Sequence, residues 1–90
     1  MLFMVIEHFD QARVRDIYRR FNERGRMVPE GLEYVASWIS ADFDRCFQVM
    51  KCEDASLLQE WVLAWGDLAR FEIVPIVGSK ETYEAVKKHL

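Results

Sequence analysis

Glu7, His8, Cys46, Gln48, Cys52, Arg70, Glu72 and His89 are the side chains of this 90-residue sequence whose types could do chemistry. Glu7 is a carboxylate set behind the apolar run Leu2–Ile6. If its neighbours Phe3 and Val5 share its surroundings, burial raises its pKa toward the range of a general base. Gln48 and Glu72 could line the same cavity, and Arg70 could orient an anionic substrate. The plainer expectation is that Glu7 and Glu72 pair with Arg70 or with polar groups of a partner chain. His8 follows at the end of the same run, where either a catalytic group or a structural hydrogen bonder would stand. Glu7 and His8 are therefore the catalytic candidates.

Several chemistries lack their residues. His8, Cys46, Cys52 and His89 have no recognised metal-ligand spacing, so no metal is expected. No Cys-x-x-Cys motif and no Gly-rich phosphate cradle occur, and no cofactor is expected. The segment RCFQVMKCE lacks the glycine and paired rings of an RNA-binding strand. A net charge of −3 also argues against a nucleic-acid partner. Leu2–Ile6 is too short to span a bilayer or serve as a secretory leader, so neither membrane insertion nor export is expected. Two cysteines in such a chain suggest reduced thiols in the cytoplasm. On one strand, Cys46 and Cys52 would lie roughly 20 Å apart at about 3.3 Å per residue, too far to bridge.

Positioning these residues requires a single domain, residues 1–90. Leu2–His8 is an almost continuous apolar run, as expected of a strand covered on both faces. Asp10 suits the N-cap of a helix over Gln11–Arg24, with Gly25 near its end. Val14, Ile17, Tyr18, Phe21 and Gly25 form one stripe of that helix. Arg15, Arg19 and Arg26 flank it on one side and Arg13, Arg20 and Arg24 on the other, as rails of snorkelling side chains. Met27–Gly31 reads as a loop. The runs LEYVASWIS and RCFQVMKCE, joined at Ala41–Asp44, then predict a hairpin over Leu32–Glu53.

Asp54 or Ser56 can cap a second helix reaching Trp65, with Leu58, Trp61, Val62 and Trp65 at i, i+3, i+4, i+7. Phe71–Val77 predicts a fourth strand, placed at a sheet edge because Pro75 has no N–H to donate. Ser79 is expected to cap a short final helix with Tyr83, Val86 and Leu90 on its apolar face. The order strand, helix, strand, strand, helix, strand is the ferredoxin-like βαββαβ sandwich, an α+β fold. Right-handed crossovers place its four antiparallel strands in the order 4-1-3-2, with both helices on one face.

Sorting strand residues by parity yields two sets. Met4, Ile6, Phe47, Val49, Phe71 and Ile73 are uniformly apolar and are expected under the helices. Phe3, Val5, Glu7, Cys46, Gln48, Met50, Arg70, Glu72 and Val74 mix apolar and polar groups, as a ligand cavity or wet interface does, and are expected on the bare face. Trp38 depends on the hairpin. An odd loop sets it beside Gln48 to roof a cavity; an even loop puts Ser37 there and Trp38 beside Phe47 under the helices.

MLFMVIEHF, SWI, CFQVMKCEDASLLQEW and W-G-D-L-x-x-F-E-I-V-P-I-V together resemble a small bacterial family catalogued as a domain of unknown function, over nearly the whole chain. That family resembles the dimeric α+β barrel superfamily, in which two ferredoxin-like sheets pack open face to open face. The superfamily includes antibiotic-biosynthesis monooxygenases, haem-degrading enzymes, muconolactone isomerases and stress-response barrels. The resemblance implies a homodimer and carries over no catalytic residues. The asparagine of haem-degrading barrels is not matched, since Asn22 falls on the first helix. The expected function is binding of a small organic ligand in a pocket formed by Glu7, Trp38, Gln48, Arg70 and Glu72, extending to cofactor-independent catalysis. The alternative is a non-catalytic dimerisation or protein-interaction module, with Trp61, Leu63 and the tail helix as contact points.

Overall fold

The computed structural model describes residues 1–90. The strands are β1 (Leu2–Phe9), β2 (Glu33–Ile39), β3 (Arg45–Lys51) and β4 (Ala69–Ile76). The helices are α1 (Val14–Arg24), α2 (Ser56–Trp65) and α3 (Ser79–Lys87), with a 3-10 turn at Gln11–Arg13 leading into α1. All three strand pairings are antiparallel, and the sheet runs β2-β3-β1-β4. The expected order 4-1-3-2 is this same sheet counted from its other edge. Pro75 lies on edge strand β4, which pairs only with β1.

Local chemistry explains the boundaries. Asp10 accepts the Ala12 N–H (3.0 Å), which caps the 3-10 turn. Gly25 ends α1 at φ 67° and ψ −156°, a backbone region open almost only to glycine, and donates its N–H to the Phe21 carbonyl. At the start of α2, Asp54 accepts both the N–H and the hydroxyl of Ser56. Ser79 does not cap α3. It is the first helical residue, and the cap position falls to Gly78, with no side-chain bond. Between β2 and β3, Ser40 and Arg45 exchange backbone and hydroxyl hydrogen bonds around the four residues Ala41–Asp44.

Helices α1 and α2 cover one face of the sheet. Ile17, Leu58, Trp61 and Trp65 join Phe3, Val5, Phe9, Cys46 and Met50 in the buried core. On β1 and β3 the covered face is the reverse of the expected one, whereas on β4 it is the expected one. On β1 the buried residues are Phe3, Val5, Glu7 and Phe9, and on β3 they are Cys46, Gln48 and Met50. Register decides the rest. Glu7 stands opposite Phe71 and Cys46, whereas Ile6 stands opposite Glu72 and Phe47. Directly paired residues share a face, so Phe71 and Ile73 lie under the helices while Arg70, Glu72 and Val74 lie on the bare side. Uniform hydrophobicity misidentified the covered face of β1 and β3 because that face holds a polar site as well as the core.

The even hairpin loop sets Ser37 opposite Gln48 and Trp38 opposite Phe47, as its parity requires. Trp38 nevertheless stands on the bare face, 59% exposed, because Phe47 does. Trp61 is almost fully buried and offers no outside contact, while Leu63 is exposed. Helix α3 buries none of its residues.

Candidate functional site

A cavity of about 260 Å³ lies between the sheet and its helices. Its floor comes from alternate positions of three strands: Glu7 and Phe9 on β1, Ser37 and Ile39 on β2, Cys46 and Gln48 on β3. Ile17, Tyr18 and Phe21 of α1 form the roof, Trp61 and Trp65 of α2 the inner wall, and Arg26 closes one end. Tyr18, Phe21 and Ile39 are each about two-fifths exposed and mark a mouth between α1 and β2.

Glu7 and Gln48 are the two buried polar side chains of the protein, and both face this cavity. Burial pushes the Glu7 carboxyl above its ordinary value of 4.5, with the Cys46 thiol, the Gln48 amide and the Arg26 charge offsetting only part of the effect. Glu7 takes part in none of the protein's ion pairs. The Cys46 thiol is pushed up to about 12, first by burial and then by the neighbouring Glu7 charge, so it is a weak nucleophile. Tyr18 is likewise raised, first by burial and then by its acidic neighbours Cys46 and Glu7.

Arg26 was expected to extend one of the arginine rails of α1. It cannot, because Gly25 ends the helix and redirects the chain. Its Nε donates to Gln48 Oε1 (3.1 Å) and its Nη2 to Ser37 Oγ (3.3 Å). The guanidinium lies 3.7 Å from the centre of the Tyr34 ring, and Ser37 is held in turn by the Tyr34 hydroxyl at 2.8 Å. The Arg26 carbonyl accepts both indole N–H groups, from Trp61 (2.9 Å) and Trp65 (3.0 Å). One residue thus fixes the roof, wall and floor to one another. Arg20 straps α1 to the end of α2 through two 2.7 Å bonds to Asp67 and one of 2.9 Å to the Ala64 carbonyl.

Of the expected pocket residues, the structure brings together Glu7 and Gln48. Trp38, Arg70 and Glu72 lie across the sheet on the bare face. His8 is there too, its Nε2 2.6 Å from Glu72 Oε1, so Glu72 pairs with this histidine and not with Arg70. The expectation grouped Cys46 with Glu7 and, for an even loop, set Ser37 beside Gln48, as the structure does; it missed Arg26 and Tyr18. The usable signal was Gly25 itself, since helical spacing says nothing about a residue beyond the glycine that stops the helix. No group of three or more His, Cys, Asp or Glu side chains is placed to hold a metal ion. No helix is long and apolar enough to cross a membrane.

Fold and site define an α+β protein with one four-stranded antiparallel sheet, helices over one face, and a partly apolar cavity with a polar end between the two layers. The chain belongs to the family described as Domain of unknown function (DUF3303), whose profile matches residues 1–90. Comparison with curated proteins and with solved structures gives no match.

Proposed function

We propose that this protein binds a small organic molecule in the cavity over Glu7, as a ferredoxin-like domain of the dimeric α+β barrel type. The observation that carries the reading is a carboxyl 7% exposed, without an ion-pair partner, facing a cavity that apolar side chains mostly line. Buried carboxyls of this kind cost free energy, and functional sites are where such groups gather. A base with raised proton affinity in a water-poor site also suits cofactor-independent proton abstraction from a small substrate. Both cysteines are free and buried, which supports a reducing, cytoplasmic setting.

A homodimer completes the proposal. The bare face carries the partly exposed Met4, Ile6, Phe47 and Val49 with the exposed Val74 and Trp38, a contiguous apolar surface of the kind that a partner covers. The protein measures 49 × 30 × 17 Å, and its radius of gyration is 15.0 Å, against about 12 Å for a compact domain of this length. Much of the excess suits α3, a nine-residue helix without buried residues; helices this short are marginal in water unless packed. The same exposed surfaces favour the second reading, a dimerisation or protein-interaction module in which the cavity has no ligand.

Calorimetric titration with a panel of small neutral and ionic aromatic compounds tests the choice, followed also by the indole N–H resonances of Trp61 and Trp65. Binding that shifts these resonances, and is lost when Ser37→Phe fills the cavity, is expected. Absence of binding across the panel, or binding indifferent to Ser37→Phe, would leave only the interaction module.

A further inference from the structure

Arg26 shares its cavity with one carboxyl, that of the buried Glu7, but makes no ion pair with it. None of the protein's ion pairs includes Arg26. The side-chain acceptors that hold it, Gln48 and Ser37, are neutral, and its remaining partners are the faces of Tyr34 (3.7 Å) and Phe21 (5.2 Å). These contacts use Nε and Nη2 and leave Nη1 without a protein acceptor. Of the other arginines, Arg19, Arg20 and Arg45 each meet an aspartate on the surface and Arg13, Arg15, Arg24 and Arg70 meet none, so what distinguishes Arg26 is its place at the cavity and its neutral partners. A half-buried guanidinium, held by neutral groups at the end of a cavity whose one carboxyl is kept toward its protonated form by burial, is arranged to receive an anion.

We propose that the cavity takes a small monocarboxylate with a flat apolar body, its carboxylate on Arg26 and its hydrocarbon part against Trp61, Trp65 and Phe9. The assignment rests on the ligand-binding reading above and names the ligand's class. The volume of about 260 Å³ is worth roughly nine waters at about 30 Å³ each, which suits a body of about ten non-hydrogen atoms. A single anionic group is favoured because Arg26 is the cavity's one cation, and because the rest of the lining is apolar apart from Glu7, Tyr18, Ser37, Cys46 and Gln48. Glu7 distinguishes this site from a simple anion hole. In its protonated form it can donate to a carboxylate oxygen, and in its charged form it repels one. The titratable or charged groups that share the cavity with it are Cys46 from β3, Tyr18 from α1 and Arg26, while α2 presents only indoles.

The test compares phenylacetate with its neutral isostere phenylacetamide, by calorimetry on the full chain at one pH. Phenylacetate is expected to bind about tenfold or more tightly than the amide, and Arg26→Gln should bring the ratio of the two affinities to about one. Indole N–H resonances of Trp61 and Trp65 held at their wild-type positions, which depend on the backbone carbonyl of residue 26, show that the variant is folded, and Arg26→Lys should restore part of the preference. Equal binding of the two compounds by the wild type, or a preference that survives Arg26→Gln, overturns the carboxylate assignment and leaves the cavity a neutral-ligand site. Failure of both compounds to bind overturns it too, and a negative result across the wider panel would remove the ligand-binding reading itself.

Discussion

Replacing Glu7 by glutamine should stabilise the protein at neutral pH and flatten its stability between mildly acid and neutral solution. The side chain is 7% exposed, and burial is the largest influence on its proton affinity, raising it from 4.5. The folded state therefore keeps the Glu7 proton at pH values where the unfolded chain has released it. With more protons bound in the native state, the slope of stability against pH is negative. The Glu7 contribution is undiminished below pH 4.5, where both states are protonated, and is lost as pH rises from there through the raised folded-state value. Each tenfold difference in proton affinity corresponds to about 1.4 kcal/mol. Glutamine keeps the polar group but has no proton to lose, so the gain at pH 7–8 is the cost of holding or losing the Glu7 proton there, on the order of 1 kcal/mol for each tenfold rise in its proton affinity. The gain corresponds to about 4–8 °C in Tm per kcal/mol for a domain of this size. Urea denaturation of both proteins from pH 4 to pH 8, at one protein concentration to hold any dimer linkage constant, measures it. A wild type that gains stability relative to Glu7→Gln over that interval would show that the native site favours the carboxylate form, and the sign of the argument would be refuted.

Trp61→Ala should cost about 3–5 kcal/mol in the same denaturation experiment, since Trp61 is 1% exposed and packs edge-on against Phe71. Trp61→Phe should cost less, because Trp65 still donates to the Arg26 carbonyl. Gly25→Ala should cost about 1–3 kcal/mol although nothing stands within 4 Å of the added carbon, because the backbone conformation itself is the obstacle. It should also displace Arg26, which the spectrum of the Trp61 and Trp65 indole N–H groups reports. Phe47→Asp on the bare face should shift sedimentation from dimer to monomer at micromolar concentration with little change in the indole resonances; a wild type that sediments as a monomer would remove the dimer.

Much of the architecture was legible because local chemistry repeats it. The 3.6-residue spacing of Leu58, Trp61 and Trp65, the cap at Asp10, and Pro75 at an edge each follow from a few neighbouring residues. The functional side chains were legible only in part. Glu7 and Gln48 stood out as polar residues in apolar strands, and they do share one site. Trp38, Arg70 and Glu72 were grouped with them by strand parity, which assigns two faces to each strand but cannot align the faces of different strands. That alignment depends on register, a property of strand pairs that no single strand encodes.

The pattern of apolar residues by itself determined four strands, three helices and their order, because each element's periodicity is written in its own side chains. It also determined that Glu7 would be costly to charge wherever it was buried. Only the tertiary structure decided which face of the sheet the helices cover, and with it that Glu7 faces an inner cavity while His8 and Glu72 face outward. Only the tertiary structure turned Arg26 from the end of a helical rail into the cation beside that carboxyl. Gly25 breaks the helical periodicity one residue earlier, and contacts with Gln48, Ser37, Tyr34, Trp61 and Trp65, from three distant parts of the chain, then set where Arg26 goes.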